Sequence, residues 1–260
     1  MKYLSREDAP FEEKVWSSID NTVKESSKQQ MSGRRLLEVV GPYGLGWKTL
    51  PGKDTSKGEY LVSETKPVAL IERSFQLSRR DIASFEETDI PLDLTEAAKM
   101  AVECARLEDD LIFNGSKELG VTGLLNASGV QSVKLSTWEE IGSAAEDVIK
   151  AVTVLDEDGY HGPYNLALAP KLYNRLYRAY PSGRMTELEH ISKIASRIVK
   201  APSITNGGVM INEGKQYASI GIGQDLQTGF VGPVDNGFEF IISESLALRL
   251  LVPKAVCVLK

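Results

Sequence analysis

The feature that most constrains this chain is a long stretch of helix-forming sequence from Asp93 to Asn114, which contains no glycine and no proline. Apolar residues recur in it every three or four positions, so they line one side of a helix. They are Ala97, Met100, Ala101, Cys104, Leu107 and Leu111. At about 1.5 Å per residue the helix would be roughly 28–30 Å long, with Asp93 and Glu96 as its predicted capping box. Such a helix is typical of a structural spine rather than of a catalytic loop.

The opposite side of this predicted spine is charged. Its residues are Lys99, Glu103, Arg106, Asp109 and Asp110. Glu108, Asp109 and Asp110 are consecutive, so on a helix they point about 100° apart and cannot by themselves form a paired-carboxylate site. We predict that they lie on a solvated face or form salt bridges between subunits. We make the same prediction for the basic pair Arg34 and Arg35.

Further helices are expected on both sides of the spine. An amphipathic helix is predicted over residues 11–31, and a second one begins at Ser136 or Thr137 and continues to Leu155. Pro170 fits the first turn of another helix. Thr186 with the glutamate three residues later predicts a capping box for the next helix, which would carry Ile191 and Ile198. The chain then turns sharply after the spine at the glycines of residues 115–123.

Extended segments make up most of the remaining sequence. Leu36–Val40 predicts a short strand, and strands become frequent after Ala201, among them Gly237–Ser243 and Leu246–Val252. A polar tip at Pro51–Asp54, with extended segments at Glu59–Val62 and Val68–Leu77, predicts a long hairpin. Since this hairpin has little apolar surface, it is marginal by itself and needs its own domain or a neighbouring subunit to lie on. The fold class is α+β.

Composition excludes several classes of protein. The net charge of −6 argues against nucleic-acid binding through bulk charge. The N-terminus lacks the apolar run of a signal peptide, and no stretch approaches the ~18 apolar residues of a membrane span. Cys104 and Cys257 lie among apolar neighbours and are predicted as core residues of a reducing compartment. We therefore expect a cytoplasmic protein with no membrane partner.

Motifs for catalysis and metal binding are missing from the sequence. His161 and His190 have no metal-ligand spacing to each other or to a cysteine. The glycine run Gly41–Gly46 contains a proline and precedes an extended segment, so it lacks the context of a dinucleotide loop. With no placed pair of nucleophile and base, we predict no catalytic and no metal-binding residues, and we expect that the protein is not an enzyme.

Several short motifs, taken in order, resemble the encapsulins, shell proteins with the fold of the HK97 phage capsid. They are Ser32–Arg35 (SGRR), Gly41–Gly44 (GPYG), Leu107–Gly115 (LEDDLIFNG), Gly120–Leu125 (GVTGLL), Gly162–Tyr164 (GPY), Gly223–Leu226 (GQDL) and Ile242–Leu246 (ISESL). Each motif is weak alone, and the match rests on their order over nearly the whole chain. The resemblance implies an icosahedral shell of about sixty copies that encloses cargo enzymes.

The resemblance also implies a division of the chain into the parts of an HK97-like capsid protein. Residues 1–47 would form the N-terminal helical arm and the start of the P-domain, and 48–77 the extended E-loop. Residues 78–134 would be P-domain with the spine helix, 135–222 the A-domain, and 223–260 the last P-domain strands. The E-loop would pair with a neighbouring subunit.

Two functional sites follow from the resemblance. Encapsulins capture cargo, such as a peroxidase or a ferritin-like iron-storage protein, through its C-terminal peptide. The implied peptide-binding residues are Arg34, Leu37, Glu38, Asp225, Leu226 and Phe230. A loop near the five-fold pore would admit small solutes, and its implied residues are Arg178, Tyr180, Ser182, Gly183 and Arg184. The two arginines would place a ring of positive charge at that opening.

The resemblance leaves other interpretations open. Some family members bind a flavin through an aromatic residue near the end of the E-loop. The corresponding stretch, Leu77–Asp81, has no tryptophan, so no cofactor is predicted. A prophage major capsid protein of the HK97 type is the alternative with the same fold. A hydrolase is a third interpretation, and it lacks a nucleophile–base pair.

Overall fold

The computed structural model describes residues 3–181, 183 and 185–260, and its helices follow most of the predicted pattern. The helices are α1 (Glu13–Lys28), α2 (Gly33–Leu36), α3 (Arg79–Thr88), α4 (Thr95–Phe113), α5 (Ser143–Glu157), α6 (Pro170–Arg175) and α7 (Glu187–Ile191). Short 3₁₀ turns lie at Arg6–Asp8 and Pro253–Ala255.

The spine helix α4 is 19 residues long and begins two residues after Asp93. The Asp93 carboxylate accepts a hydrogen bond from the Thr95 N–H at 3.0 Å. Glu96 pairs with Lys99 at 2.6 Å, and no side-chain cap closes the first turn of α4, so the predicted capping box is wrong. The apolar stripe packs inward as predicted, with Ala97, Ala101 and Cys104 fully buried.

The strands form two five-stranded sheets and two small hairpins. They are β1 (Glu38–Val40), β2 (Thr49–Lys57), β3 (Tyr60–Pro67), β4 (Ala69–Ser78), β5 (Gly115–Ser116), β6 (Val121–Thr122), β7 (Gln131–Val133), β8 (Tyr164–Leu168), β9 (Arg197–Lys200), β10 (Gly208–Asn212), β11 (Ala218–Ile222), β12 (Gln227–Val234), β13 (Gly237–Leu250) and β14 (Val256–Leu259). The first sheet has the order β1–β11–β13–β12, with β4 also paired to β13. The second has the order β7–β14–β10–β8–β9. The mixture of helices and sheets confirms the α+β class.

The structure has two hydrophobic cores, and the first also includes residues of the second sheet such as Ala167, Val209 and Val256. Helices α1 and α4 pack on the first sheet, around an aromatic group in which Phe75 stacks on Phe240 with ring centroids 5.1 Å apart. Helix α5 packs on the second sheet, and Trp138 is fully buried in that core. Cys104 belongs to the first core and Cys257 to the second, and burial raises their pKa values to about 12 and about 11. Both are thiols in apolar surroundings, as predicted.

The hairpin of β2 and β3 extends away from both cores. Its turn lies at residues 58–59, so the predicted tip at Pro51–Asp54 is wrong: that segment lies inside β2, at an irregularity of the pairing. The predicted arm at 68–77 is instead β4, which pairs with β13. Every residue of β3 is exposed, with Tyr60 at 76% and Leu61 at 70%.

Three further predictions need correction. The predicted strand Leu36–Val40 is helical up to Leu36, because the Asp109 carboxylate accepts the Ser32 and Gly33 N–H groups at the start of α2. The helix expected from Ser136 begins at Ser143, because Ser136 is turned toward the buried Asp147. The two strands expected within residues 237–252 are a single continuous strand, β13.

For the last helix, α7, one prediction is confirmed and another is wrong. Thr186 and Glu189 form the predicted capping box of α7. That helix ends at Ile191, and Ile198 lies in β9, although the spacing placed both on one helix. Among the described residues, no helix is long and apolar enough to cross a membrane.

Gly123→Ala should destabilise the protein, because the added Cβ would lie 2.3 Å from the Phe113 carbonyl oxygen and 2.5 Å from the Gly115 nitrogen. These are backbone atoms at the end of the spine and cannot rotate away. We expect a loss of about 1–3 kcal/mol, measured by thermal unfolding. Gly46→Ala is the control, because its Cβ meets no atom within 4 Å. Equal melting temperatures for the two variants would contradict this packing.

Candidate functional site

An open groove of about 620 Å³ lies between helix α1 and residues 225–228. Its lining includes the apolar side chains of Val23, Met31 and Leu226. Val23 and Met31 are buried, and Leu226 is half-buried against the first core. Charged and polar residues line the remainder, so the groove combines an apolar floor with polar walls.

Helix α1 supplies one wall because its groove-lining residues follow the helical period. Asp20, Lys24 and Lys28 are spaced by four, and Val23 and Ser27 lie on the same side. On the facing wall, Arg6 of the N-terminal segment pairs with Asp20 and donates from Nε to the Thr228 carbonyl oxygen at 2.8 Å. Arg6 also lies over the Trp16 ring, 4.2 Å from its centroid. The N-terminal segment is therefore fixed across the end of the groove.

Arg34 lies at the base of the groove and contacts three carboxylates. Its guanidinium donates to Glu108 at 2.7 Å, to Glu244 at 2.9 Å and to Asp225 at 2.7 Å. Glu108 on α4 and Glu244 on β13 are fully buried, while Asp225 is exposed at the groove wall. One side chain thus connects the spine, the first sheet and the far wall.

The charges in this cluster shift one another's pKa values. Burial by itself lowers the pKa of Arg34, but hydrogen bonding and charge attraction from Glu108 and Glu244 outweigh it and raise that pKa. Burial, together with repulsion from Glu108, raises the pKa of Glu244 well above its usual value. One Glu244 oxygen, Oε1, has no hydrogen-bond partner among the described residues.

Asp109 holds the short helix α2 in place beside this cluster. Its carboxylate accepts from the Gly33 N–H at 2.8 Å, from the Ser32 N–H at 2.9 Å and from the Ser32 hydroxyl. Burial raises its pKa to about 6, and these hydrogen bonds limit the rise. This capping sets the direction in which Arg34 leaves the backbone.

The surroundings predicted from the sequence for Glu108, Asp109 and Arg34 are wrong. Glu108 and Asp109 are buried, so a solvated face or an inter-subunit salt bridge is wrong for these two residues. The predicted surface position of Arg34 is wrong for the same reason, since its partners are buried carboxylates of the same chain. Arg35 and Asp110 are exposed, as expected for a solvated face.

The structure brings together three of the six residues proposed for peptide binding. Arg34, Asp225 and Leu226 line the groove. Leu37 is buried in the first core, and Phe230 lies in its aromatic group, 5.9 Å from the Phe11 ring. Glu38 is exposed on β1, outside the groove lining.

The resemblance implies a peptide site between the N-terminal helix and the P-domain sheet, but the six residues named for it include none of helix α1, which lines the groove. The four-residue spacing of Asp20, Lys24 and Lys28 marks a charged stripe beside the buried side of α1, and this signal is present in the sequence. The sequence does not show which segment faces this stripe, because residues 225–228 come close to α1 only in the folded chain.

The predicted pore loop is described only in part, since Ser182 and Arg184 lie outside the described residues. Arg178 donates to the fully buried Glu187 at 2.8 Å and to the Glu139 carbonyl oxygen at 2.9 Å. Its charge is thus compensated within the chain. The Tyr180 hydroxyl lies 2.8 Å from Nδ1 of His190, and the Gly183 N–H donates to the Tyr180 carbonyl oxygen.

In the part of the chain that the structure describes, no group of three or more histidine, cysteine or acidic side chains is placed so that it could hold a metal ion. His161 lies 3.1 Å from Asp156, and His190 contacts Tyr180.

Comparison with known proteins decides what kind of chain carries this groove. A family described as encapsulating protein for peroxidase matches residues 1–247. The chain belongs to the encapsulin family. It is 31% identical to the type 1 encapsulin shell protein EncA of Myxococcus xanthus, over 99% of this chain and 96% of that protein. It is 32% identical to a diheme-cytochrome–encapsulin shell fusion protein of Kuenenia stuttgartiensis, over 94% of this chain and 72% of that protein.

Solved structures give the same fold. A virus-like particle from Pyrococcus furiosus matches with a TM-score of 0.78 and 20% identity, over 95% of this chain and 99% of that one. The capsid of Myoviridae phage XM1 matches with a TM-score of 0.61 and 14% identity, over 89% and 90%. The fold is thus HK97-like, as predicted. This encapsulin is a structural protein of a capsid-like, multimeric cage rather than an enzyme.

Replacement of Arg34 by methionine should strongly destabilise the encapsulin, because it leaves Glu108 and Glu244 buried without a counter-charge. Loss of one partner from a buried ion pair costs about 3–5 kcal/mol. Arg35→Met is the matched control: its side chain is exposed, and a change within about 0.5 kcal/mol is expected. The melting temperatures of both variants test this, and a wild-type value for Arg34→Met would refute the role given to the cluster.

Stability should also depend on pH through Glu244. Because its folded pKa lies well above the ordinary value of 4.5, its contribution to stability is complete below that pH and is lost as the pH rises through the folded pKa. Glu244→Gln keeps the shape and removes the titration. We expect the wild-type melting temperature to fall relative to that of the variant as the pH is raised from about 4 to 8. Parallel pH profiles would show that Glu244 does not titrate in this way.

Proposed function

We propose that this encapsulin assembles into a closed shell that takes up cargo protein, and that a peptide of the cargo docks in the groove beside α1. The observation that carries the proposal is the groove itself, which has an apolar floor and charged walls on a chain of a shell-forming family. An extended peptide with spaced apolar residues needs such a groove for affinity and a few charges for its register.

The peptide is proposed to come from the C-terminus of the cargo and to bind on the inner wall of the shell. Val23, Met31 and Leu226 would receive its apolar side chains, and Asp225 with Arg34 would fix its register. Because Arg34 already contacts Asp225, the peptide would meet a wall that is held in place before binding. Leu37 and Phe230 would support the groove from the core rather than touch the peptide.

The cargo class is proposed from the family. The description of the matching family names a peroxidase, and one relative is a fusion with a diheme cytochrome. Redox proteins are therefore the first candidates for cargo. A ferritin-like iron-storage protein is the second. In either case the chemistry belongs to the cargo, and this chain supplies the enclosure, which we place in the cytoplasm.

Assembly is proposed to use about sixty copies, with closed symmetry that repeats one set of interfaces. The β2–β3 hairpin supports this, because Tyr60 and Leu61 are exposed in the single chain and a neighbouring subunit would cover them. Solutes would enter through openings lined by the loop of residues 178–185. Since Glu187 neutralises the charge of Arg178, Arg178 would shape the opening rather than supply free positive charge.

Electron microscopy of protein purified from its native host, with mass spectrometry of what co-purifies, tests the proposal. We expect closed, uniform particles that contain a second protein. Particles filled with DNA would instead favour a phage capsid. A small species that keeps its fold would contradict the assembly.

Leu226→Asp should abolish cargo uptake, because it places a charge in the apolar floor of the groove. Val231→Asp is the control, since Val231 lies on the same strand region, is 55% exposed and does not line the groove. Both variants should form closed particles by electron microscopy, and only Leu226→Asp should lose co-purified cargo. Equal cargo content in the two closed particles would rule the groove out as the docking site.

A further inference from the structure

We propose that the docking surface is longer than the groove and selects an acidic cargo segment. It continues across Arg35 into a second notch, and the joined surface binds a peptide that carries carboxylate side chains. This inference rests on the proposed function, because it takes the occupant of the groove to be a cargo peptide.

The charges along the groove are not balanced within the chain. Its two acidic residues are already paired, Asp20 with Arg6 and Asp225 with Arg34. Lys24 and Lys28 line the same groove, and neither forms a salt bridge within the described part of the chain. The groove therefore presents uncompensated positive charge, although the chain as a whole carries a net charge of −6.

The notch has a volume of about 370 Å³ and lies against the edge strand β9. Arg35 lines both the groove and the notch, so the two lie next to each other on either side of this side chain. Lys200 supplies another cation, with Nζ 5.1 Å from the centroid of the Tyr173 ring. Like Arg35, it has no carboxylate partner among the described residues.

Two tyrosines give the notch its remaining chemistry. Tyr173 and Tyr177 are in edge contact, with ring centroids 5.9 Å apart, and Tyr177 is 59% exposed. Tyrosine offers a ring face for the aliphatic part of a side chain and a hydroxyl donor for a carboxylate. Cations and tyrosines together therefore suit glutamate or aspartate side chains.

The apolar floor favours a peptide over a nucleic acid. A nucleic-acid groove follows a charged backbone and offers aromatic side chains for base stacking. Here Val23, Met31 and Leu226 form the floor, and the tyrosines are confined to the far notch. The surface matches a chain with apolar side chains at one end and carboxylates at the other.

A set of soluble synthetic peptides, added while disassembled shells reassemble, tests the inference, because the groove is proposed to face the inside of the closed shell. The peptides carry leucine or isoleucine at varied spacing, each in three versions with glutamate, glutamine or lysine at the flanking positions. An oligonucleotide serves as a second polyanion. We expect glutamate versions to bind roughly tenfold more tightly than glutamine versions, with lysine versions weakest and with affinity falling as salt is raised.

Charge reversal locates the effect. Lys24→Glu with Lys28→Glu should remove the preference for glutamate, and Lys200→Glu should weaken only peptides long enough to reach the notch. Lys117→Glu with Lys171→Glu is the matched control, since both lysines are exposed and line neither cavity. Particle formation by all variants shows that the shell is intact.

The outcomes separate this inference from the proposed function. If peptides bind in the groove with equal affinity for all three charge versions, the docking function stands and the acidic selection is refuted. If no peptide binds, both are refuted. Tighter binding of the oligonucleotide than of any peptide, lost in the Lys24 and Lys28 variant, would assign the surface to nucleic acid and overturn the proposal.

Discussion

The guanidinium of Arg34 neutralises two carboxylates that solvent does not reach, and the rest of the structure is arranged around that contact. Glu108 belongs to the spine and Glu244 to the central strand of the first sheet, so their attraction to Arg34 holds helix and sheet to the turn that follows α1. The same guanidinium reaches Asp225, which fixes the facing wall of the groove. Without this cation, two like charges would remain buried beside each other, which is among the most costly arrangements in a protein interior.

This arrangement separates two requirements of a shell subunit. The two sheets and their helices pack into dense cores, whereas the β2–β3 hairpin exposes Tyr60 and Leu61 and has little to pack against within its own chain. A rigid body with a projecting arm suits the repeating assembly that we propose, because the arm would gain its contacts from the next copy. The groove lies on the rigid part, where the Arg34 cluster and the Asp109 cap of α2 hold its walls before any peptide arrives.

Periodicity in the sequence predicts the elements well and their surroundings poorly. The stripe of α4 and the Thr186 capping box were visible because they depend on residues three or four positions apart. The burial of Glu108 and Asp109 was not, because it depends on Arg34 and Ser32, more than seventy residues away. Strand β13 likewise continues through Glu244, whose cation Arg34 is far away in the sequence. The motif resemblance identified Arg34, Asp225 and Leu226 as groove residues. The lysines of α1 could be recognised as groove residues only once the structure showed the wall that faces them.

The central claim is that a groove held by Arg34 is where cargo docks, and a density map of cargo-loaded particles tests it most directly. Particles purified from the native host would be imaged by cryo-electron microscopy and averaged over the shell. The account predicts extra density along α1, between Val23, Met31 and residues 225–228, which continues past Arg35. Cargo density on another part of the inner wall, with the groove empty, would contradict it.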